Sequence, residues 1–158
     1  MDAALFRTGM RRLTSAVSIV SAHGQEGPAG ATVSSVTSLC ADPQSLLLCL
    51  NRTSAIHQVI AQANTFAVNV LHHSQASLAE LFADPHQRAK RFGQGQWELD
   101  YKCAPYLIDA QVVFLCERNQ LIDFGTHSIC IGFVREVYVR ADFDPLIYAE
   151  GAMHRLEI

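Results

Sequence analysis

The stretch SICIGFVREVYVR, residues 128–140, decides the fold class of this chain. It is rich in β-branched and aromatic residues, and the run Ala110–Leu121 has the same character, so the two indicate a pair of long strands. Shorter runs of this type lie at Val17–Ala22, Ala31–Val36, Ser45–Leu50, Thr65–Leu71 and Leu146–Tyr148. Because the strands follow one another closely and few segments could form crossover helices, the pattern predicts an antiparallel barrel rather than a parallel α/β sheet.

Helical segments are fewer and shorter than the strands. Phe6, Met10 and Leu13 recur at helical spacing, so the N-terminal segment is predicted to form a short amphipathic helix. Further helices are predicted from the N-cap Ser54, over Ser74–Phe82 and from Asp84-Pro85 through Arg91. The chain is therefore predicted to be mainly β, with a few short flanking helices.

The composition fits one folded domain that covers residues 1–158. Hydrophobic residues make up 49% of the chain, which excludes an intrinsically disordered protein. The net charge of −3 argues against a nucleic-acid binder that works through a basic footprint. Charged residues make up only 17%, too few to coat the whole surface of a small domain, so we expect an apolar interface and a homodimer.

Cysteine usage and the N-terminal segment bear on location. The five cysteines are an odd number and include no C-x-x-C pair, which argues against a disulfide framework and against a zinc site. Free cysteines are typical of the reducing cytoplasm. The N-terminal segment lacks the apolar stretch of a signal peptide, and no apolar run approaches the roughly 18 residues of a membrane span. We therefore expect a cytoplasmic protein that is not bound to a membrane.

Four polar segments are candidates for chemistry. The hydroxyl-rich segment Thr32–Ser38 could offer donors and acceptors to a flat polar ring, although the same pattern fits a strand that faces solvent. Asn51–Ser54, at a predicted helix start, could bind a phosphate or could be an ordinary helix cap beside an exposed arginine. Arg88–Phe92 could steer an anion, with a solvated helix face as the commoner explanation. His127, at a turn before a long strand, could hydrogen-bond a substrate or could be a surface histidine.

Several well-known motifs are missing from the sequence. Gly93-Gln94-Gly95 lacks the third glycine and the preceding strand of a dinucleotide-binding fingerprint. There is neither a phosphate-binding P-loop nor the G-x-S-x-G of a hydrolase nucleophile elbow. His57 and the pair His72-His73 have no zinc-type spacing with other ligands, so no metal site is expected.

The order of the segments resembles that of the flavin-reductase-like family, which has an FMN-binding split barrel. The matching segments are FRTGMRRLTSAVSIVSA, GATVSSVTSLCADPQSLLLCLNRTSAI, FAVNVLHHSQASLAELFA, the RF of KRFGQGQW, GTHSICIGFVREV and PLIYAEGAMHRL. They span nearly the whole chain, and the specificity lies in their order rather than in one signature. The chain resembles in particular the short reductase components of two-component aromatic monooxygenases, such as that of 4-hydroxyphenylacetate 3-monooxygenase.

This resemblance implies a fold, an activity and partners. The implied fold is a six-stranded antiparallel split β-barrel with Greek-key topology, working as a homodimer. The implied activity is that of an NAD(P)H:flavin oxidoreductase, which transfers a hydride from NADH or NADPH to FMN or FAD and supplies reduced flavin to a partner monooxygenase. The family often has a larger apolar residue in place of Ala31 and a Ser or Thr in place of Cys40. It often has a second proline in place of Gln44. These departures could alter flavin preference, and none removes a group that the chemistry needs.

The resemblance also implies the site residues. Those expected to contact the flavin are Thr32, Val33, Ser34 and Ser35 along the isoalloxazine ring, Ser38 and Leu39 at the ribityl and phosphate end, Leu50 and Asn51 along the wall, Arg52, Ser54 and Arg91 near the phosphate with Phe92 beside it, and Tyr148 at the pocket mouth. His127, the candidate catalytic residue, is expected near the nicotinamide. It is assigned a positioning role, because hydride transfer needs no protein nucleophile.

Two other function classes stay open on sequence grounds. A flavin-binding sensor or carrier would keep the hydroxyl-rich segment and the helix start, but it would need no access for a nicotinamide. His127 and an open face over the flavin are the features that separate it from a reductase. A structural dimeric barrel with an empty site is the third class.

Overall fold

The computed structural model describes residues 2–157, which form mainly β-strands. Met1 and Ile158, the end residues of the expected single domain, lie outside the described residues. The strands are β1 (Ser15–Ala16), β2 (Ser18–Gly24), β3 (Gly27–Val33), β4 (Thr37–Ala41), β5 (Gln44–Asn51), β6 (Thr65–Val70), β7 (Trp97–Glu98), β8 (Tyr106–Leu107), β9 (Val112–Phe124), β10 (His127–Val139), β11 (Leu146–Ala149) and β12 (Ala152–Arg155). The helices are α1 (Ala3–Arg11), α2 (Ala55–Gln62) and α3 (Ala76–Ala83), with 3-10 segments at His73–Gln75 and Pro85–Gly93.

Seven strands form one antiparallel sheet in the order β3-β2-β6-β9-β10-β5-β4. Strands β1, β11 and β12 form a separate small sheet, and β7 pairs with β8. The prediction of a mainly β, antiparallel chain is confirmed, but the large sheet has seven strands rather than the expected six. The additional strand is β4, because the backbone bends at residues 34–36 and Thr37–Ala41 then folds onto β5 as a hairpin.

The connection between β3 and β4 requires this sheet to curl. The two strands are its opposite edges, yet only residues 34–36 separate them along the chain. Four Cα–Cα steps of about 3.8 Å span at most about 15 Å. Six interstrand spacings in a flat sheet would add up to about 29 Å. The sheet therefore bends until its edges approach each other, and no ladder joins β3 to β4 within the described residues.

Both faces of the central strand β2 are buried. Neighbouring residues of β2 point to different hydrophobic clusters, since Ile19 packs in one and Val20 in the other. Helix α3 covers the first cluster through Phe82, and α2 covers the second through Ile56 and Ile60. Burial on both faces explains why the strand predicted at Val17–Ala22 shows no alternation of polar and apolar residues.

Gly132 shows how tightly the second cluster is packed. A methyl group at this position would lie 2.5 Å from the Cζ atom of Phe66 and 3.0 Å from the Cβ atom of Cys116. The Phe66 ring is fully buried, so the missing side chain is what lets this ring of β6 lie against β10. Burial in this cluster also raises the pKa of Cys116 and that of Cys130 to about 12.

The N-terminal helix α1 confirms the predicted amphipathic helix. Asp2 caps it by accepting from the Ala4 amide at 2.8 Å. Its apolar side chains are open to solvent, with Leu5 68% and Phe6 55% exposed, and no described residue of the helix is buried. Within residues 2–157, no helix is both long and apolar enough to cross a membrane.

Candidate functional site

The first part of the candidate site is a cleft where two turns meet. Strand β5 ends at Asn51, which lies opposite His127, the first residue of β10. The next amide along the chain, that of Arg52, donates to the Thr126 carbonyl at 3.0 Å. This pairing brings the segment between β5 and α2 against the β9–β10 turn. The open cleft between them is lined by residues of both turns and of α2, including Arg52 and His57.

Helix α2 begins at this cleft. Its N-cap is Ser54, as predicted, and the hydroxyl accepts from the His57 amide at 3.3 Å and donates to the Asn51 carbonyl at 2.7 Å. Among the described residues, no hydrogen bond engages the amides of Ala55 and Ile56. These N–H groups and the partial positive charge of the helix start favour an anion.

Arg52 adds a full positive charge at the cleft. Its side chain is 48% exposed, and its Nη2 lies 3.2 Å from Oδ2 of Asp123. Its Nη1 donates to the Gly125 carbonyl over a long 3.5 Å. A guanidinium has five N–H donors, so several remain for a ligand. Together with the helix start, this side chain can bind a phosphate group.

A hydrogen-bond network that the sequence analysis missed continues from Arg52. The Ser128 hydroxyl donates to Oδ1 of Asp123 at 2.6 Å and lies 2.8 Å from Nε2 of His57. Ser128 is fully buried. The three residues lie on β10, β9 and α2, so no spacing in the sequence relates them. Only the β9–β10 register, which sets Ser128 opposite Asp123, could have pointed to the contact.

His127 is exposed beside the same cleft. Its Nδ1 lies 2.9 Å from the Thr126 hydroxyl, and its backbone pairs with Asn51 of β5. Leu50 is buried directly below, in the second core cluster. Of the predicted site residues, the structure thus brings together Leu50, Asn51, Arg52, Ser54 and His127.

The hydroxyl-rich segment divides at the edge of the sheet. Strand β3 ends at Val33 and is an edge strand, so no strand pairs with one side of its backbone. The Thr32 hydroxyl donates to the Ala79 carbonyl of α3 at 2.6 Å. The Ser35 hydroxyl accepts from the Cys49 amide at 3.1 Å and donates to the Cys49 carbonyl at 3.0 Å. These two hydroxyls hold the strand and its connection in place, which leaves the backbone edge as the surface for a ligand.

Four other predicted residues lie at the end of β3, in its connection to β4 or on β4 itself. Ser34, Ser38 and Leu39 are exposed, and Val33 is half-buried. The Ser35 contact with β5 brings this connection close to the end of the strand that leads into the cleft. The roles of these residues toward a flavin stay predictions.

Arg91, which the resemblance places near a phosphate, points into the protein and is only 7% exposed. Its guanidinium donates to the carbonyls of Gly30 at 2.6 Å, Asp84 at 2.8 Å and Leu81 at 3.4 Å. It also lies 5.6 Å from the centre of the Phe82 ring. Burial lowers the pKa of Arg91 from its usual range. The side chain ties β3 to the segment around α3, and its contact with a phosphate stays a prediction.

Phe92 and Tyr148 both pack against the first hydrophobic cluster. The Phe92 ring lies 5.3 Å from that of Phe82 and 4.8 Å from that of Trp97, measured between centres. Tyr148 lies on β11 opposite Ser15, in the small sheet. Neither residue lines the cleft beside Arg52, so their contacts with a flavin stay predictions.

No group of three or more His, Cys, Asp or Glu side chains suited to a metal ion occurs in the described part of the chain. All five cysteines are free thiols. The candidate site consists of a cleft whose hydrogen-bond donors can bind an anion, an exposed histidine and an open sheet edge.

A family model of the flavin reductase like domain matches residues 10–157. The chain belongs to the flavin reductase family. The matched range contains both turns of the cleft, the edge strand β3 and the Arg91 segment. The resemblance deduced from the order of the sequence segments is thereby confirmed.

Individual flavin reductases are similar to this chain over nearly its full length. It is 32% identical to the FMN reductase (NADH) RutF of Pseudomonas syringae pv. syringae (strain B728a) over 151 residues, which cover 96% of this chain and 85% of that protein. It is 34% identical to the reductase component of the FADH(2)-dependent resorcinol hydroxylase of Rhizobium sp. (strain MTP-10005) over 145 residues, or 90% of this chain and 81% of the relative. The solved structure of the Streptomyces globisporus C-1027 NADH:FAD oxidoreductase SgcE6, in complex with NAD and FAD fragments, is similar with a TM-score of 0.90 at 27% identity. The similarity covers 99% of this chain and 93% of that one.

Proposed function

We propose that this flavin reductase transfers a hydride from NADH to FMN or FAD and supplies reduced flavin to a partner monooxygenase. The observation that carries the proposal is the meeting of an arginine and a helix start at one open cleft, with the exposed His127 paired to Asn51 beside it, in a chain that matches flavin reductases along almost its whole length. The names of the relatives, an FMN reductase (NADH) and a reductase component of a hydroxylase, support the donor and the partner class.

The flavin phosphate would bind at the start of α2. Arg52 has donors that its protein contacts leave over, and the amides of Ala55 and Ile56 can donate to the same anion. The isoalloxazine ring would lie along the free edge of β3, where backbone N–H groups can meet its polar rim. FMN and FAD share the ring and the first phosphate, so these contacts accept either.

The chemistry resides in the two bound molecules, since a nicotinamide can pass a hydride directly to a flavin ring. The protein contributes orientation, because holding two rings at reactive distance removes much of the entropic barrier. Backbone donors at the edge of β3 would stabilise the negative charge that develops on the reduced ring. His127 would position the nicotinamide from the opposite side of the cleft.

An exchangeable flavin fits the open shape of the cleft. The flavin would then be a second substrate that leaves in its reduced form, and tight retention would slow delivery to the oxygenase. A sensor or carrier would have no need for the exposed imidazole of His127 beside the phosphate site.

We further infer a six-stranded split barrel, with the curled sheet as its basis and β4 as a short additional edge, and a homodimer. The exposed apolar face of α1, with Leu5 and Phe6, and the exposed Val139 and Phe143 supply surface that a second copy would cover. The free thiols support a location in the reducing cytoplasm. Light scattering on the purified protein should give twice the mass of 17.4 kDa.

The decisive experiment is NADH oxidation by the purified protein with and without added FMN or FAD. We expect oxidation that depends on added flavin and saturates with it, and slower oxidation when NADPH replaces NADH. Absence of oxidation with either donor, while flavin fluorescence shows binding, would replace the reductase with the sensor or carrier.

A variant tests the proposed role of His127. His127→Ala should raise the KM for NADH or lower turnover, with flavin affinity little changed, because the residue is assigned to the nicotinamide. Wild-type values for both kinetic constants would show that His127 has no such role.

A further inference from the structure

The network behind Arg52 connects every element that borders the cleft. Arg52 precedes α2, Asp123 lies at the end of β9, Ser128 lies at the start of β10, and His57 lies in the first turn of α2. The contacts run without a break from Arg52 through Asp123 and Ser128 to His57, at 3.2, 2.6 and 2.8 Å. Nothing in hydride transfer requires these last three residues.

Hydrogen-bond chemistry sets the direction of the chain. The Asp123 carboxylate can only accept, so the Ser128 hydroxyl uses its single proton toward Oδ1. The Ser128 oxygen must then accept from His57, which places a proton on Nε2 of that ring. Asp123 therefore accepts from both of its neighbours in the network, from Ser128 on Oδ1 and from Arg52 on Oδ2. The carboxylate is exposed on one side, and on the other it accepts from a fully buried hydroxyl that orients it.

An oriented carboxylate also orients the guanidinium. An arginine side chain that is about half exposed would otherwise sample several rotamers, and ordering it would oppose ligand binding. Asp123 and the Gly125 carbonyl hold Nη2 and Nη1 from the same turn. The remaining N–H groups of Arg52 are thereby preorganised for a third partner.

We propose that Asp123 and Ser128 are positioning residues that hold Arg52 for the phosphate ester of the flavin. The proposal rests on the flavin site described under the proposed function. It assigns to the β9–β10 turn a part in recognising the phosphate, separate from recognition of the ring.

Binding of FMN and of riboflavin, which lacks the phosphate, tests this directly. Ser128→Ala removes the hydroxyl that links His57 to Asp123, without changing any charge. We expect its Kd for FMN to rise about 2- to 5-fold, the range typical of a partly exposed ion pair, while its Kd for riboflavin stays at the wild-type value. In turnover, the KM for FMN should rise and kcat should not change. Ser128→Thr, which keeps the hydroxyl, should restore the wild-type ratio of the two affinities.

Two further variants sharpen the result. Ser18→Ala is the matched control, because Ser18 is also a fully buried serine of the same sheet, yet its hydroxyl has no partner within the described residues. It should leave both affinities unchanged. Asp123→Asn tests the sign, since removal of a negative charge near the phosphate would by itself tighten FMN binding. The positioning role predicts weaker FMN binding instead. Because the Asp123 side chain is exposed, we expect the Asp123→Asn variant to fold.

The outcomes separate the possible explanations. Equal weakening of FMN and riboflavin by Ser128→Ala would show general loosening of the fold and overturn the proposal. Tighter FMN binding by Asp123→Asn would also overturn it. If the wild-type protein binds FMN and riboflavin with equal affinity, Arg52 does not bind the phosphate and this proposal is overturned. The proposed reductase activity would still stand. Absence of flavin binding by the wild-type protein would overturn the proposed function as well.

Discussion

Replacement of Arg91 by methionine tests whether this arginine is a structural anchor or a ligand of the flavin phosphate. The Arg91 side chain is buried, and its guanidinium donates to the carbonyls of Gly30, Asp84 and Leu81. Methionine keeps much of the apolar stem but has no donor. Arg91→Met therefore removes a donor from all three carbonyls, of which that of Asp84 keeps the Gln87 amide at 3.3 Å. We expect the folded state to become less stable.

The magnitude follows from the two short contacts, at 2.6 and 2.8 Å. A hydrogen bond to a charged group contributes about 1.5–3 kcal/mol, so the two together contribute about 3–6 kcal/mol. Methionine avoids the desolvation cost of a buried cation, which offsets a part of this loss. The free energy of unfolding should fall by about 2–4 kcal/mol, which is within the total stability of a typical domain.

The chain carries its own probe for this measurement. Trp97 is the single tryptophan, and its ring lies 4.8 Å from that of Phe92, the residue next to Arg91. Urea unfolding followed by Trp97 fluorescence, at one fixed protein concentration, should show a midpoint lower by about 1–2 M for a slope of about 2 kcal/mol per M. The control is Arg88→Met, at an exposed position of the same segment, which should unfold like the wild type.

One result would refute this reasoning. If Arg91→Met unfolds at the wild-type midpoint while its Kd for FMN rises tenfold or more, Arg91 acts as a phosphate ligand and does not anchor β3. The reverse pattern, a lower midpoint with unchanged FMN affinity of the folded protein, is the one that the geometry predicts.

Three further predictions concern packing, thiol chemistry and pH. Gly132→Ala should lower the free energy of unfolding by about 1–3 kcal/mol in the same urea assay, because the added methyl group overlaps the ring of Phe66. A thiol reagent at pH 8 should modify the exposed Cys40 quickly, and modify Cys116, whose pKa is raised to about 12, only after unfolding; mass spectrometry can locate the label. A hydrogen bond from arginine lowers the pKa of Asp142 in the folded state, so its contribution to stability is present above the unfolded pKa of about 3.9 and is lost as the pH falls below it. Asp142→Asn should therefore be less stable than the wild type at pH 7, with the difference shrinking below pH 4.

The long strands were predictable from the sequence because their signal is local. The run of residues 128–140 has strand character along its whole length, and β10 spans His127–Val139. Strand β4 was not predicted, because Thr37–Ala41 is short, none of its residues is buried, and nothing in its composition separates it from the strand before it. Its existence depends on pairing with β5, which is a tertiary contact.

The candidate site shows the same division between local and non-local information. The N-cap Ser54 and the exposed His127 were identified from their neighbours in the sequence. The orientation of Arg91 into the protein was not, because a basic residue in a short helical segment is normally solvated. Asp123 and Ser128 belong to no recognisable sequence motif, and only the strand register brings them together beside the cleft.

The pairing of β5 with β10 has a consequence for how the molecule assembles. The hairpins β2–β3 and β4–β5 close over short loops, whereas Asn51 and His127, which pair beside the cleft, are 76 residues apart in the sequence. Pairing across such a separation must meet the loop-closure entropy before its contacts form, so we expect it to follow the local hairpins in folding. Partly folded chains can hold both hairpins and still lack the cleft. Recovery of phosphate-dependent flavin binding during refolding should therefore lag behind recovery of strand content, which makes the ligand a reporter of the completed topology.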